Sequence, residues 1–299
     1  LSPMIDVISV KNFSKSFDNK NVIVDLSFEV NEGDVFAFLG QNGSGKTTTL
    51  RCLLNIDSTD FGELLFMGKK YSVDMAKYLG YLPEERGLYT NSRVLEILIY
   101  FGQIKGLSYN DAKIKGLKFL KRVGLEDKSN ELIKKLSSGQ QQKLQLGITV
   151  INDPKILILD EPTKGLDPLN RLLLLDILME LNNKGSTILF STHQMEEAEK
   201  IATRLLMIKN GKSVLYGETE NVKKKFGENT ILIEFKGKFP LNSKLYSAII
   251  NNNYAEVNPN DNISENDILK FLMSSNIEIS KFEIASPSLN EIFIKLATN

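Results

Sequence analysis

A short apolar run, Val35-Phe36-Ala37-Phe38-Leu39, leads straight into Gly40-Gln41-Asn42-Gly43-Ser44-Gly45-Lys46-Thr47. This junction limits the fold more than any other stretch. Five apolar residues in succession suit a strand buried on both faces, as in a parallel sheet. The residues that follow match G-x-x-x-x-G-K-[ST], a loop that cradles phosphate. Its glycines let the backbone curl so that N–H groups point inward at an anion. The candidate binding segment is therefore Gly40, Asn42, Gly43, Ser44, Gly45, Lys46, Thr47 and Thr48. Lys46 brings a positive charge to the β- and γ-phosphates, and the Thr47 hydroxyl suits Mg²⁺. The helix that starts here turns its positive end to the same phosphates. The plainer alternative is a glycine-rich turn between a strand and a helix.

Composition narrows the function further. The 37 basic and 37 acidic side chains cancel, which leaves no electrostatic footprint for nucleic acid. The single cysteine, Cys52, excludes an internal disulfide framework and falls in the helix after the loop, where it reads as a small buried hydrophobe. No apolar run reaches the about 18 residues of a bilayer span. The N-terminal residues lack the charged and apolar regions of a signal peptide, so the expected location is the cytoplasm.

Alternation through Ile8, Val10, Val22, Val24, Leu26, Phe28 and Val30 predicts antiparallel strands with a turn at Phe17-Asp18-Asn19-Lys20. The helix from Lys46 is expected to reach about Asn55, with strands at Glu63–Phe66 and Tyr78–Leu82. Pro83-Glu84-Glu85-Arg86-Gly87 reads as a loop. Three helical patterns follow, at Ser92–Lys105, Tyr109–Val123 and Glu131–Leu136, suggesting an inserted helical lobe over about 86–152. Ser137 or Ser138 then caps a helix running to about Asn152. Buried strands Ile156–Leu159 and Thr187–Phe190 flank a helix opened by Pro168. Asn210-Gly211 signals a hairpin. Beyond Lys223–Asn229 the expected pattern is β-α-β-α-β-α, with helices at Leu241–Asn251 and Ile263–Met273 and a final stripe of Leu289, Ile292, Phe293 and Leu296.

Strand Ile156–Leu159 ends in Asp160-Glu161. In phosphate-loop enzymes an acidic residue at such a strand end holds Mg²⁺, which suits Asp160. Glu161 is then placed to take a proton from an attacking water. A solvated strand end is the alternative, and four buried apolar residues just before it weaken that alternative. His193, the only histidine, follows a buried strand and so falls at the same carboxyl edge. Phe17 is either an aromatic that stacks on adenine or an ordinary core residue.

Taken together, residues 4–226 resemble the ATP-binding subunit of ABC transporters. Gly40–Thr47 is similar to the Walker A loop, Leu136-Ser137-Ser138-Gly139-Gln140 to the signature LSGGQ, and Asp160-Glu161 to Walker B. Gly165-Leu166-Asp167 is similar to the D-loop, His193 to the switch histidine and Phe17 to the A-loop aromatic. Glu84 stands where the family has a Q-loop glutamine, and Ser138 replaces a signature glycine. Gly80–Tyr89 and Pro287–Phe293 resemble the NatA-like sodium-, peptide- and drug-efflux group.

The fold implied is an α/β P-loop NTPase core with an antiparallel β subdomain and an inserted helical lobe. A small C-terminal α+β domain would occupy 228–299. The resemblance also implies ATP and Mg²⁺, with Thr47, Asp160 and Glu84 at the metal and Glu161, His193 and Glu84 at the reaction. Two ATPase subunits, identical or paralogous, would sandwich ATP between Lys46 of one and Ser137, Ser138, Gly139 and Gln140 of the other. A separate transmembrane permease would tie them to the cytoplasmic face of the membrane. The rival readings are a non-transport ABC ATPase acting on nucleic acid or ribosomes, and another phosphate-loop kinase or GTPase. The first sits badly with zero net charge, the second with the signature loop and His193.

Overall fold

The computed structural model of the protein describes residues 6–298, apart from 19, 86, 227–229, 243, 261, 276 and 286. Asn19 of the expected first turn, Arg86 of the loop after Tyr78–Leu82 and the 227–229 linker thus lie outside the described residues. The chain divides into two compact units, at Gly217 and Glu218. The division corrects the expected boundary at 226–228. The helix Thr219–Phe226 belongs to the second unit, where it packs on the C-terminal helix.

In the first unit, β1 (Asp6–Phe17) and β2 (Lys20–Asn31) form an antiparallel pair, β3 (Val35–Gly40) follows, and β4 (Phe61–Phe66) pairs on the other side of β1. Between β3 and β4 runs α1 (Lys46–Leu53), ended by Asn55 in a left-handed conformation. β5 (Leu79–Leu82), β6 (Ile156–Asp160), β7 (Thr187–Thr192), β8 (Arg204–Lys209) and β9 (Lys212–Glu218) complete a second sheet with β3, in the order β5-β6-β7-β3-β8-β9. From β5 to β8 every pairing is parallel. Every residue of β3, β6 and β7 is buried, which is why these strands read as unbroken apolar runs rather than alternations. Phe28 stacks on Phe36 with ring centroids 5.5 Å apart, fusing the antiparallel and parallel sheets into one core. Phe36 and Phe38 have no exposed surface, and each contributes on the order of 2 kcal/mol by burial.

Between β5 and β6 stand α2 (Val94–Ile104), α3 (Tyr109–Arg122) and α4 (Ser138–Val150). The expected helix at Glu131–Leu136 is only a single 3₁₀ turn, Ile133–Lys135. Its backbone is recruited elsewhere: Ile133 N donates to Ser92 O and Lys134 N to Thr90 O, pinning the segment to the start of α2. Lys105, just past α2, reaches the end of α4 and donates to the carbonyls of Ile148 and Thr149 at 2.9 and 2.8 Å. It thereby satisfies two orphan helix-end acceptors. α5 (Pro168–Asn183) and α6 (Met195–Ile201) flank β7.

In the second unit α7 (Thr219–Phe226) precedes four antiparallel strands and two helices. These are β10 (Thr230–Lys236), β11 (Tyr246–Asn251), β12 (Tyr254–Pro259), α8 (Glu265–Ser274), β13 (Glu278–Ala285) and α9 (Leu289–Thr298). The expected helix at Leu241–Asn251 is therefore wrong. Asn251 pairs with Tyr254 across Asn252, whose φ is 50°, so the asparagine run forms a hairpin turn and the preceding residues become a strand. Ile231, Ile233, Tyr246, Val257, Ile268 and Leu272 form a core of its own.

A chain ending at Gly217 is expected to stay folded and to bind ATP, because the first unit contains its own core and the whole phosphate loop. Circular dichroism melting and an ATP titration check this. A soluble, cooperatively melting truncation with no ATP affinity would show that the second unit completes the site.

Candidate functional site

β3 delivers the glycine-rich loop to the carboxyl edge of the parallel sheet. Gly45 has φ +108°, and a Cβ there would come within 2.2 Å of Ile23 Cδ1, so only glycine fits. The loop is braced by the hairpin turn at Asn210-Gly211: Gly211 N donates to Ser44 O, and Val24 N donates to Gly211 O. A cavity of about 380 Å³ opens over the loop. It is lined by Val22, Asn42, Gly43, Gly45, Lys46, Thr47, Thr48, Glu84 and Glu161.

Lys46 is buried at the floor of the site. Its Nζ donates to Gly40 O at 2.8 Å and to Gln41 O at 3.2 Å, and lies 3.4 Å from Glu161 Oε1. That last contact is an ion pair by distance without hydrogen-bond alignment, so Glu161 Oε1 keeps an unused acceptor. Glu161 holds φ 48°, a left-handed conformation rare for a residue with a Cβ, at a cost of about 1–3 kcal/mol. Two bonds to its amide fix it there, since Glu161 N donates to both Ser191 O and Ser191 Oγ. His193 Nδ1 lies 2.9 Å from Glu161 Oε2. An ionised carboxylate only accepts, so this bond places the proton on Nδ1.

Asp160 has no exposed surface. Burial pushes its carboxyl above the ordinary value, while the hydrogen bond from Ser191 opposes the shift. Ser191 Oγ donates to Asp160 Oδ1, but Oδ2 is buried with no hydrogen-bond partner. An orphaned buried carboxylate oxygen beside the Thr47 hydroxyl fits a hard divalent cation. No set of three His, Cys, Asp or Glu forms a metal cage among the described residues. Glu84 Oε2 accepts from Thr47 Oγ1 at 3.5 Å. A hydrogen bond from Lys164 holds the Glu84 carboxyl below its ordinary range.

The structure thus brings Lys46, Thr47, Glu84, Glu161 and His193 together with Asp160. It does not bring Phe17 or Ser137–Gln140 to the cavity lining. Phe17 is half exposed at the end of β1, with Lys15 Nζ 5.0 Å from its ring centre. Ser137 caps α4 in a reciprocal box with Gln140, and Gly139 packs beside Gly165 and Leu166. Sequence reasoning gave no role to Ser191 or to Lys164. It also missed Glu197, a buried acid whose carboxyl is pushed up by desolvation and which accepts from Thr163 and Thr192. Only their places next to Asp160-Glu161 and His193 could have pointed to them.

Residues 23–164 match the family profile described as ABC transporter, and residues 217–297 match one described as ATP-binding protein DrrA1-3-like, C-terminal domain. An ABC transporter ATP-binding protein of Methanocaldococcus jannaschii is 43% identical over 218 residues, covering 73% of this chain and 80% of that one. Nod factor export ATP-binding protein I of Paraburkholderia xenovorans is 38% identical over 214 residues, covering 70% of each chain. A solved structure of an ATP-binding subunit of an ABC transporter superposes with TM-score 0.68 at 28% identity, covering 74% of this chain and 93% of that one.

Lys46→Ala is expected to fold but to lose ATP affinity by roughly 100-fold, the worth of a charge-assisted contact to phosphate. Calorimetric titration with ATP, beside a thermal melt, checks it. Normal affinity in a folded variant would remove Lys46 from the site.

Proposed function

Because the chain belongs to the ATP-hydrolysing ABC transporter ATP-binding family, we propose that it is the subunit that powers export of a substrate through a separate membrane permease, with two ATPase subunits closing on ATP. The observation that carries this reading is the meeting of Lys46, Thr47, Glu84, Asp160, Glu161 and His193 at one sheet edge, beside the cavity over the glycine-rich loop.

In this reading Lys46 and the loop N–H groups bind the β- and γ-phosphates. The Thr47 hydroxyl and Asp160, with Glu84 nearby, would hold Mg²⁺. That ion supplies neutralisation of the phosphate oxygens when bound. Glu161 is the general base. Its strained backbone and buried carboxylate hold it ready to take a proton from water. His193 keeps the Glu161 side chain in place through Nδ1, which leaves the Nε2 lone pair to accept from the water. Phe17 is the candidate adenine contact. Ser137, Ser138, Gly139 and Gln140 would serve the partner subunit's ATP, since the exposed, capped start of α4 presents N–H groups and a positive dipole end.

Export is favoured over import by the Nod factor export relative. No helix among the described residues is long and apolar enough to cross a membrane. Peripheral attachment at the cytoplasmic face would therefore run through the permease. Tyr89 is 59% exposed and lines a mostly apolar cavity of about 250 Å³ with Ser92, Glu96, Ile97 and Tyr100, on the helical lobe just beyond Glu84. That hollow suits a helix end of the membrane partner.

Glu161→Gln is expected to keep ATP binding, to lose hydrolysis by at least about 100-fold, and to accumulate as an ATP-bound dimer on size exclusion. A near wild-type rate would dismiss Glu161 as the base. Leu88→Ala with Tyr89→Ala should leave ATP affinity intact and weaken co-purification with the permease. A variant destabilised by about 2 kcal/mol or more, as core truncation would cause, that still captures its partner normally would assign both side chains to packing instead.

A further inference from the structure

At position 84 this chain has a carboxylate where the family pattern has an amide, and it supplies a cation beside that carboxylate. Lys164 Nζ lies 2.6 Å from Glu84 Oε1, while Oε2 faces the Thr47 hydroxyl. Lys164 comes from the turn that follows Glu161, and its own N–H donates to Glu161 O at 3.0 Å. On the other side, Gln145 Nε2 donates to Glu85 O, so α4 steadies the loop that carries Glu84. The pair therefore joins the loop leading to the helical lobe with the loop of the proposed base, and Glu84 lines both the phosphate-loop cavity and a second hollow that Lys164 lines with it.

We propose that Lys164 is a positioning residue that holds one oxygen of Glu84 and cancels its charge, so that the pair behaves toward nucleotide as a neutral amide would. This rests on reading the cavity as the ATP–Mg²⁺ site. Three carboxylates, Glu84, Asp160 and Glu161, gather near the phosphate loop with Lys46. Glu84 acts on Asp160, and both Asp160 and Glu161 act on Lys164. Without Lys164 the Glu84 carboxylate faces the phosphates uncompensated. Metal-free ATP carries more negative charge than Mg·ATP and is repelled more. The bland alternative is an ordinary surface ion pair, since the Lys164 side chain is 59% exposed and such pairs contribute little. Loss of Lys164 would then leave nucleotide affinity unchanged.

The test uses the full chain and its Lys164→Met, Lys164→Arg, Glu84→Gln and Glu84→Gln/Lys164→Met variants. Dissociation constants are measured for ATP in EDTA and for Mg·ATP, and melting temperatures for each ligand-free chain. Lys164→Met is expected to weaken metal-free ATP roughly 10-fold, the order expected for one uncompensated charge several ångströms away at a protein surface, and Mg·ATP distinctly less. Lys164→Arg should match wild type, and the double variant should return to within about 3-fold of wild type, because charge is again balanced. Melting temperatures should stay within about 2 °C. The proposal is overturned if Lys164→Met binds both forms like wild type, weakens both equally, or is not rescued by Glu84→Gln. A wild-type chain that binds neither form overturns the underlying reading of the cavity, and this inference with it.

Discussion

Parallel pairing of β6, β7 and β3 brings Asp160 level with Ser191, and Leu39 level with Thr192. In a parallel sheet the strands point the same way, so the loops that follow them open at one edge. That register puts the phosphate loop, the Asp160-Glu161 pair and His193 within reach of one another. The register depends on the buried apolar runs of these strands. A slip of one residue would move every side chain to the opposite face. Ser191 then converts register into geometry, since its carbonyl and hydroxyl fix Glu161 and its hydroxyl meets Asp160.

Charge is the second constraint on this edge. Lys46, Asp160 and Glu161 are all buried. Buried charges are costly unless partnered. The available partners are incomplete: Asp160 Oδ2 and Glu161 Oε1 accept no hydrogen bond, the latter having only its ion pair with Lys46, and Lys46 turns part of its donors to the loop carbonyls. Such unfinished pairing is unusual in a protein core and common where a ligand supplies the remaining contacts. The Glu197 carboxylate accepts from Thr163 and Thr192 and lies 3.5 Å from Arg171, joining the Thr163 turn to the end of β7.

The helical lobe depends on close backbone approach rather than on charge. A Cβ at Gly102 would lie 2.8 Å from Ala112 Cβ, and one at Gly147 would lie 2.5 Å from Phe119. These glycines let α2 and α3, and α3 and α4, pack tightly. Through Gln142, whose side chain donates to Pro162 O, α4 is also tied to the loop after Glu161. The lobe is thus tied to the carboxyl edge of the sheet.

Local sequence determined much of this protein. Glycine spacing, the Asp160-Glu161 strand end, the Ser137–Gln140 cap and the Asn210-Gly211 turn are short-range features, set by backbone preferences and hydrogen bonds within a few residues. They located the phosphate loop, the sheet strands and most helices. Tertiary structure decided what depends on distant partners. Glu131–Leu136 lost its helix because its amides are claimed by Thr90 and Ser92. Tyr246–Asn251 became a strand because β12 pairs with it across an asparagine turn. The helix Thr219–Phe226 changed unit because it packs on α9. The Glu84–Lys164 ion pair and the Ser191 clasp on Asp160 and Glu161 join residues dozens of positions apart. No spacing rule reaches across that separation, because the contacts arise only when the sheet aligns its loops.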